Sequence, residues 1–264
     1  MKLRAILIIF LSTTNIIATY AADYGLNGYS WQKDGRSIGL GGGMNAIDQK
    51  SLNGISINYL LPYHLSELST RSIKICQQTK WLKMEGLWSQ AGDAIFMENY
   101  FALGASRYLS GSFMLGIKAG FYRYAMITGD KGSTLISELN CKYKPYEKMQ
   151  ITVYLFNPMG AKIKRGNDQI TMYQSFHLGV SYYPTNKIEG LLEMEKTQQE
   201  AIIWHLGLEY AIMEKFFIRT GLSTPPLRPS WGIGGNIHRF KYAIGGNIHP
   251  VLGFSSCFSF YYSW

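Results

Sequence analysis

The chain has 264 residues, 47% hydrophobic and 14% aromatic but only 16% charged, with a formal net charge of +9. So little charge beside so much aromatic side chain excludes a disordered chain, a coiled coil and a basic nucleic-acid tail. A mean hydropathy of −0.06 means that apolar residues are diluted evenly with polar ones, which excludes a bundle of membrane helices, each needing a run of about 20 apolar residues.

The first element is the one apolar block. Lys2 and Arg4 precede Ala5 to Leu11, and the block fades through Ser12 to Asn15 into Ile16, Ile17 and Ala18. Charge, length and position predict a secretory signal peptide over residues 1–21, with Thr19 and Ala21 as the small residues before a cut at Ala22. A glycine-rich segment, residues 22–53, follows and carries Gly39, Gly41, Gly42 and Gly43.

From residue 54 onward the sequence alternates apolar and polar positions in segments of about 9 to 13 residues separated by turn chemistry. Strands are predicted at 54–61, 69–77, 80–89, 99–109, 112–125, 134–144, 149–157, 171–183, 187–196, 201–211, 215–223, 230–238, 240–248 and 256–264. Short turns at 110–111, 145–147, 184–186 and 213–214 alternate with longer polar connections at 90–98, 126–133, 158–170 and 224–229. An even count of about fourteen strands with one tight and one loose end predicts an all-β fold, a transmembrane antiparallel up-and-down β-barrel over residues 54–264.

Parity assigns the two faces. Phe113, Leu115, Ile117, Ala119 and Phe121 share one face, while Gly116, Lys118, Gly120 and Tyr122 share the other. In the last strand Phe258, Phe260, Tyr262 and Trp264 form an aromatic stripe that looks like the assembly signal of bacterial outer-membrane barrels, implying the barrel-assembly machinery as a partner. By the same parity Glu189, Glu193, Glu195, His205, Glu209 and Arg219 point into the lumen from three consecutive strands, with Glu209 and Arg219 as neighbours. These residues, with Lys118 and Tyr122, are the candidate ligand or lumen cluster, and Tyr261 adds a second inward aromatic. Mutual neutralisation of lumen charges is the structural alternative to a ligand or ion path.

The run Ile233-Gly234-Gly235-Asn236-Ile237-His238 recurs as Ile244-Gly245-Gly246-Asn247-Ile248-His249. A turn between the copies puts the two histidines at opposite ends of adjacent strands, on the order of 25 Å apart, too far to share a metal. The paired glycines then serve curvature and wall packing. Cys76, Cys141 and Cys257 are too scattered for a CxxC site or a disulfide framework. There is no GK[ST] after the glycine run, no HExxH and no GxSxG elbow, so no catalytic residue, cofactor or metal is assigned and the chain is read as non-enzymatic.

The opening from Gly35 through Gly43 to Ile47 resembles the glycine-rich opening of the long-chain fatty-acid transporter superfamily of outer-membrane barrels. More narrowly it is similar to a short Bacteroidetes branch related to the outer-membrane shuttle protein of type IX secretion. Glu67-Leu68-Ser69-Thr70, Phe156-Asn157-Pro158, Glu193-Met194-Glu195-Lys196, Gly207-Leu208-Glu209-Tyr210, Arg219 to Thr224 and His249 to Ser255 extend the likeness along the chain. Asn58-Tyr59-Leu60-Leu61-Pro62 stands where that superfamily has an Asn-Pro-Ala-Gly-Leu element, a departure. The resemblance implies a barrel whose N-terminal segment enters the lumen as a plug. The expected function is an outer-membrane barrel that binds or passes a small hydrophobic or amphipathic molecule; the alternative is an accessory component of a secretion or surface-assembly system. Expected partners are outer-membrane lipid and lipopolysaccharide, the latter through Lys162, Lys164 and Arg165 in a predicted external loop.

Overall fold

The computed structural model describes residues 31–47, 53–165, 168–198 and 200–264; the predicted signal peptide lies outside the described residues. Fourteen antiparallel strands close into one barrel. In chain order they are β1 (Gly54–Leu61), β2 (Thr70–Gln78), β3 (Lys83–Gly92), β4 (Phe96–Tyr108), β5 (Phe113–Met126), β6 (Lys131–Tyr146) and β7 (Met149–Phe156). After a two-stranded hairpin, β8 (Lys162–Arg165) and β9 (Asp168–Thr171), the barrel resumes with β10 (Ser175–Thr185), β11 (Ile188–Thr197), β12 (Ile203–Met213) and β13 (Phe216–Thr224). It ends with β14 (Arg228–Ile237), β15 (Phe240–His249) and β16 (Gly253–Ser263). Closure comes from β1 pairing with β16, Gly54 opposite Ser263 and Leu61 opposite Ser256. The barrel sheet therefore has no unpaired edge in a medium that offers no hydrogen bonds.

The period of two sorts the side chains as expected. Leu103 is 76% exposed and Leu135 71%, while Glu195 is 1% and His177 2% exposed. Ile117, Leu206, Phe258 and Phe260 are also exposed. An outer wall built of such residues faces hydrocarbon, and the lumen takes the polar set. Tyr143, Tyr182, Tyr210, Phe240 and Trp264 stand on the outside near the short-turn end, and Trp204, Trp231 and Phe254 near the other. Aromatic belts at two heights mark where such a wall crosses the two membrane interfaces.

Three local expectations need correction. The 158–170 connection is no polar loop: Lys162–Arg165 pairs with Asp168–Thr171. Asn157, at φ 52, bonds through its side-chain nitrogen to the carbonyls of Met172 and Tyr173 and through its oxygen to Ala161 N. That clamp folds the hairpin inward, so that Ile163 is buried beside Tyr124, Ile136 and Phe156. The connections expected at 90–98 and 126–133 shrink, because β3 runs to Gly92, β4 starts at Phe96 and β6 starts at Lys131. Glu98 and Lys131 are polar but still have ladder partners in Ala91 and Ala125. The third correction concerns the glycine echo and depends on what fills the barrel.

Residues 31–47 lie inside the lumen, buried almost throughout. Asp34 caps the short helix α1 (Gly35–Gly39) reciprocally with Ser37, its carboxylate accepting from Ser37 N at 2.7 Å and its N–H donating to Ser37 Oγ at 3.0 Å. Gly41 and Gly42 follow at φ 93° and 83°, a left-handed turn that glycine adopts without strain. Helix α1 rests on β14, β15 and β16. Gly232 supports it: a Cβ there would be 3.2 Å from Gly39 Cα, and Gly245 likewise lies under Gly35. Of the echoed glycines, then, Gly245 admits the plug backbone and Gly234 admits the Arg219 guanidinium, while Gly235 and Gly246 are covered by the rings of Tyr242 and Phe254. Curvature is not what requires them. His238 lies in the β14–β15 turn and His249 at the far end of β15, as the spacing predicts.

Candidate functional site

The lumen residues resolve into three groups, two of which grip the plug by charge. In the first, Arg36 donates to Glu209 at 3.0 Å and pairs with Glu189 at 3.0 Å, and its Nη1 reaches the Ala46 carbonyl at 2.5 Å. Arg219 bonds the same Glu209 oxygen at 2.6 Å from the neighbouring strand. Adjacent strand positions put Glu189, Glu209 and Arg219 in one row across β11, β12 and β13. The row is one positive charge short until Arg36 enters.

In the second group Glu193 accepts from the backbone N–H groups of Met44 and Asn45 at 2.9 and 2.6 Å, and the oxygen that takes Met44 N–H also meets His177 Nδ1 at 2.9 Å. A Cβ on Gly43 would be 2.9 Å from a Glu193 oxygen, so only a glycine lets the carboxylate seat here. Glu195 meets His205 Nε2 at 2.9 Å, and His205 Nδ1 lies 2.7 Å from the Gly41 carbonyl. Both partners of His205 are acceptors, a carboxylate on one ring nitrogen and a carbonyl on the other. Each imidazole bridges a wall carboxylate to another polar group.

The third group is separate from the first two, although Lys118 and Tyr122 are on the same inward face as expected. Lys118 pairs with Glu85 at 2.7 Å and Glu138 at 3.2 Å and donates to Gln32 of the plug at 2.9 Å. Glu138 also accepts from Tyr154 at 2.9 Å and, through a short bond, from Tyr100. Tyr122 donates to Glu98 at 2.6 Å. Its ring stacks on Trp31 with centroids 5.1 Å apart, and Tyr100 packs on Trp31 at 4.6 Å. Trp31 is thus enclosed in an aromatic box under the β8–β9 hairpin. Tyr261 lies elsewhere, donating to Asp34 at 2.6 Å.

Below the plug, toward the short turns, the lumen stays open. A cavity of about 490 Å³ has Arg36, Asn45 and Ile47 among its lining residues. A hole of about 50 Å³ continues from it to Gln32, Tyr154, His177 and Glu193. From one mouth to the other the axis runs through an open vestibule, a narrow polar passage, the box holding Trp31 and the hairpin.

No family model matches the chain, and no curated protein matches it. Solved structures do. The CymD monoaromatic hydrocarbon channel superposes with a TM-score of 0.61 over 88% of this chain and 97% of that one, at 10% identity. The Pseudomonas putida toluene transporter TodX does so with a TM-score of 0.56 over 80% and 88%, at 7% identity. At such identities the likeness is one of fold: this chain is a fourteen-stranded barrel of the outer-membrane type.

The most consequential residues absent from the candidate cluster are Trp31, Arg36, His177 and Glu138. His177 and Glu138 carry a parity signal, since their register partners Glu195 and Lys118 face inward. Arg36 is conspicuous only as a charge within a glycine-rich run. Nothing in the pattern marks Trp31, whose box is assembled from β4 and β5.

Proposed function

We propose that this chain is an outer-membrane channel for a small hydrophobic or amphipathic molecule, with residues 31–47 as its gate. The observation that carries this reading is the aromatic box: the barrel interior builds an apolar, ring-lined chamber and fills it with a side chain of its own plug. Trp31, at the start of the plug, occupies space that fits one aromatic ring. Ring-on-ring contacts of this geometry contribute about 0.5–1.5 kcal/mol each beyond burial, so a ligand ring competes with Trp31 on similar terms. Two further points support the reading. The exposed wall is apolar between its aromatic belts, and two barrels of the same fold are described as passing toluene and other monoaromatic hydrocarbons. Residues 1–21 supply the export signal that such a location requires.

The direct test measures binding of toluene and of octanoate to the purified full chain in neutral detergent, together with uptake of labelled toluene by cells producing it. Saturable binding that weakens in Tyr122→Ala, and uptake that rises when the plug is loosened, support the channel. Absence of both in a folded barrel refutes it.

A further inference from the structure

The interior acids are committed. Glu193, Glu195 and Glu209 hold the plug or the histidines, Glu138 holds tyrosines and Lys118, and Glu85 is shared between Lys74 at 3.1 Å and Lys118 at 2.7 Å. The cations are not all committed. Lys142 and Lys144 line the 490 Å³ vestibule with Lys118, while its acids, Glu85 and Glu189, are already paired with Lys74, Lys118 and Arg36. Among the described residues, Lys142 and Lys144 form no ion pair. Asn140, one inward position deeper on β6, has a side-chain oxygen with no hydrogen-bond partner and lines the same cavity. Its carboxamide can turn either end toward a ligand.

Like charges gathered in a cleft with low-dielectric walls repel one another, and the same geometry concentrates counter-ions there. The arrangement lowers its free energy by taking up an anion. Cavities of about 300–1,000 Å³ hold small-molecule ligands, and this one offers apolar surface as well, from Ile47 and Met114.

We propose that the vestibule at the short-turn end is a binding site for a small oxyanion, a carboxylate or phosphate held by Lys142 and Lys144. It lies on the open side of the plug and does not depend on what the plug gates. Deep in the vestibule, the anion meets Asn140; farther out, it meets bulk solvent beside Lys144.

The test is calorimetric titration of the full chain in neutral detergent with benzoate, with inorganic phosphate and with benzyl alcohol. Expected is saturable binding of both anions, mutually competitive and weakened by added NaCl, with no competition from benzyl alcohol. Lys142→Gln with Lys144→Gln weakens benzoate by about tenfold or more, the size expected from losing charge-assisted hydrogen bonds, whereas arginine at both positions retains it. Barrel assembly is checked by heat-modifiable gel mobility. If the glutamine pair fails to assemble, Lys144→Gln alone, at an exposed position, serves with an expected loss of about threefold. Binding of benzyl alcohol as tight as benzoate, affinity unchanged by the glutamines, or no saturable anion binding to the assembled barrel each overturns the proposal. Loss of toluene uptake with anion binding intact indicts the channel reading instead.

Discussion

Replacing Arg36 by methionine separates the plug from the barrel energetically. The side chain is only 9% exposed, so the solvent screening that reduces surface ion pairs to almost nothing does not apply. Removing one partner of a buried pair costs about 3–5 kcal/mol when the other is left bare. Here the carboxylates are not bare: Glu209 keeps Arg219 at 2.6 Å and Glu189 keeps the Tyr183 hydroxyl at 3.2 Å. Methionine preserves most of the apolar stem, so the loss falls to about 2–3 kcal/mol, the size of one or two charge-assisted hydrogen bonds. None of it touches the strand ladder, so it appears in the docking equilibrium of residues 31–47. At 1.4 kcal/mol per factor of ten, the undocked fraction rises by about 30- to 150-fold. Hydrogen exchange of the full chain in detergent measures this at Ile38, Leu40 and Gly42, whose amides bond to Asp34, Arg36 and Ser37 carbonyls. Their exchange accelerates by that factor while β4 to β6 keep their protection. Unchanged exchange at these three amides, or loss of protection throughout the barrel at once, refutes the reasoning.

Gly207→Val is a steric version of the same test: a Cβ there would be 2.7 Å from the Leu40 carbonyl oxygen, so the plug is displaced while the folded barrel persists on heat-modifiable gels. Trp31→Ala empties the aromatic box and costs docking about 3–5 kcal/mol as a large-to-small change, and the vacated box binds toluene more tightly than the parent in the same detergent assay. On the outer wall, Leu206→Arg near the middle of β12 costs about 2–4 kcal/mol in urea unfolding from liposomes, against about 0–1 kcal/mol for Ile237→Arg beside a turn. Replacing Lys162, Lys164 and Arg165 together by glutamine lowers lipopolysaccharide co-purification about threefold, because Lys162 and Lys164 are exposed on the hairpin at the loop end.

The wall was legible because its two solvents are so unlike. Leu206 beside Gly207, or Ile117 beside Lys118, can be sorted by parity alone when one side is hydrocarbon and the other is polar. Glu209 and Arg219 could be paired because neighbouring strands bring their positions into register. The plug contacts could not be read in the same way. Arg36 and Glu209 are 173 residues apart, and the register of α1 against the wall is set by backbone approach at Gly39 and Gly232, which no periodicity encodes. Strand ends above the membrane were misjudged for a related reason. Lys131 extends the sheet because Ala125 is there to pair with it, not because its own side chain favours a strand. The hairpin at 162–171 depends on the Asn157 clamp and on the Tyr124 hydroxyl bonding the Lys164 carbonyl, contacts that no local pattern encodes.

The inward acids of β11 and β12 fit a fastening better than an ion path. An ion path needs charges left partly unsatisfied along the axis, so that an ion gains on entering and loses little on leaving. Glu193, Glu195 and Glu209 have no such reserve, because each is bonded to plug backbone, to an imidazole or to arginine. Without the plug, Glu193 loses two backbone donors, and Glu189 and Glu209 lose a guanidinium. Each keeps one wall partner, so the loss is of charge-assisted hydrogen bonds, and that loss helps to hold residues 31–47 in place. If the barrel is a channel as proposed, passage requires Arg36 and the Met44 and Asn45 amides to exchange their wall partners for water. A ligand that only displaces Trp31 from its box loosens one end while the charge lock holds the other, so opening depends on both.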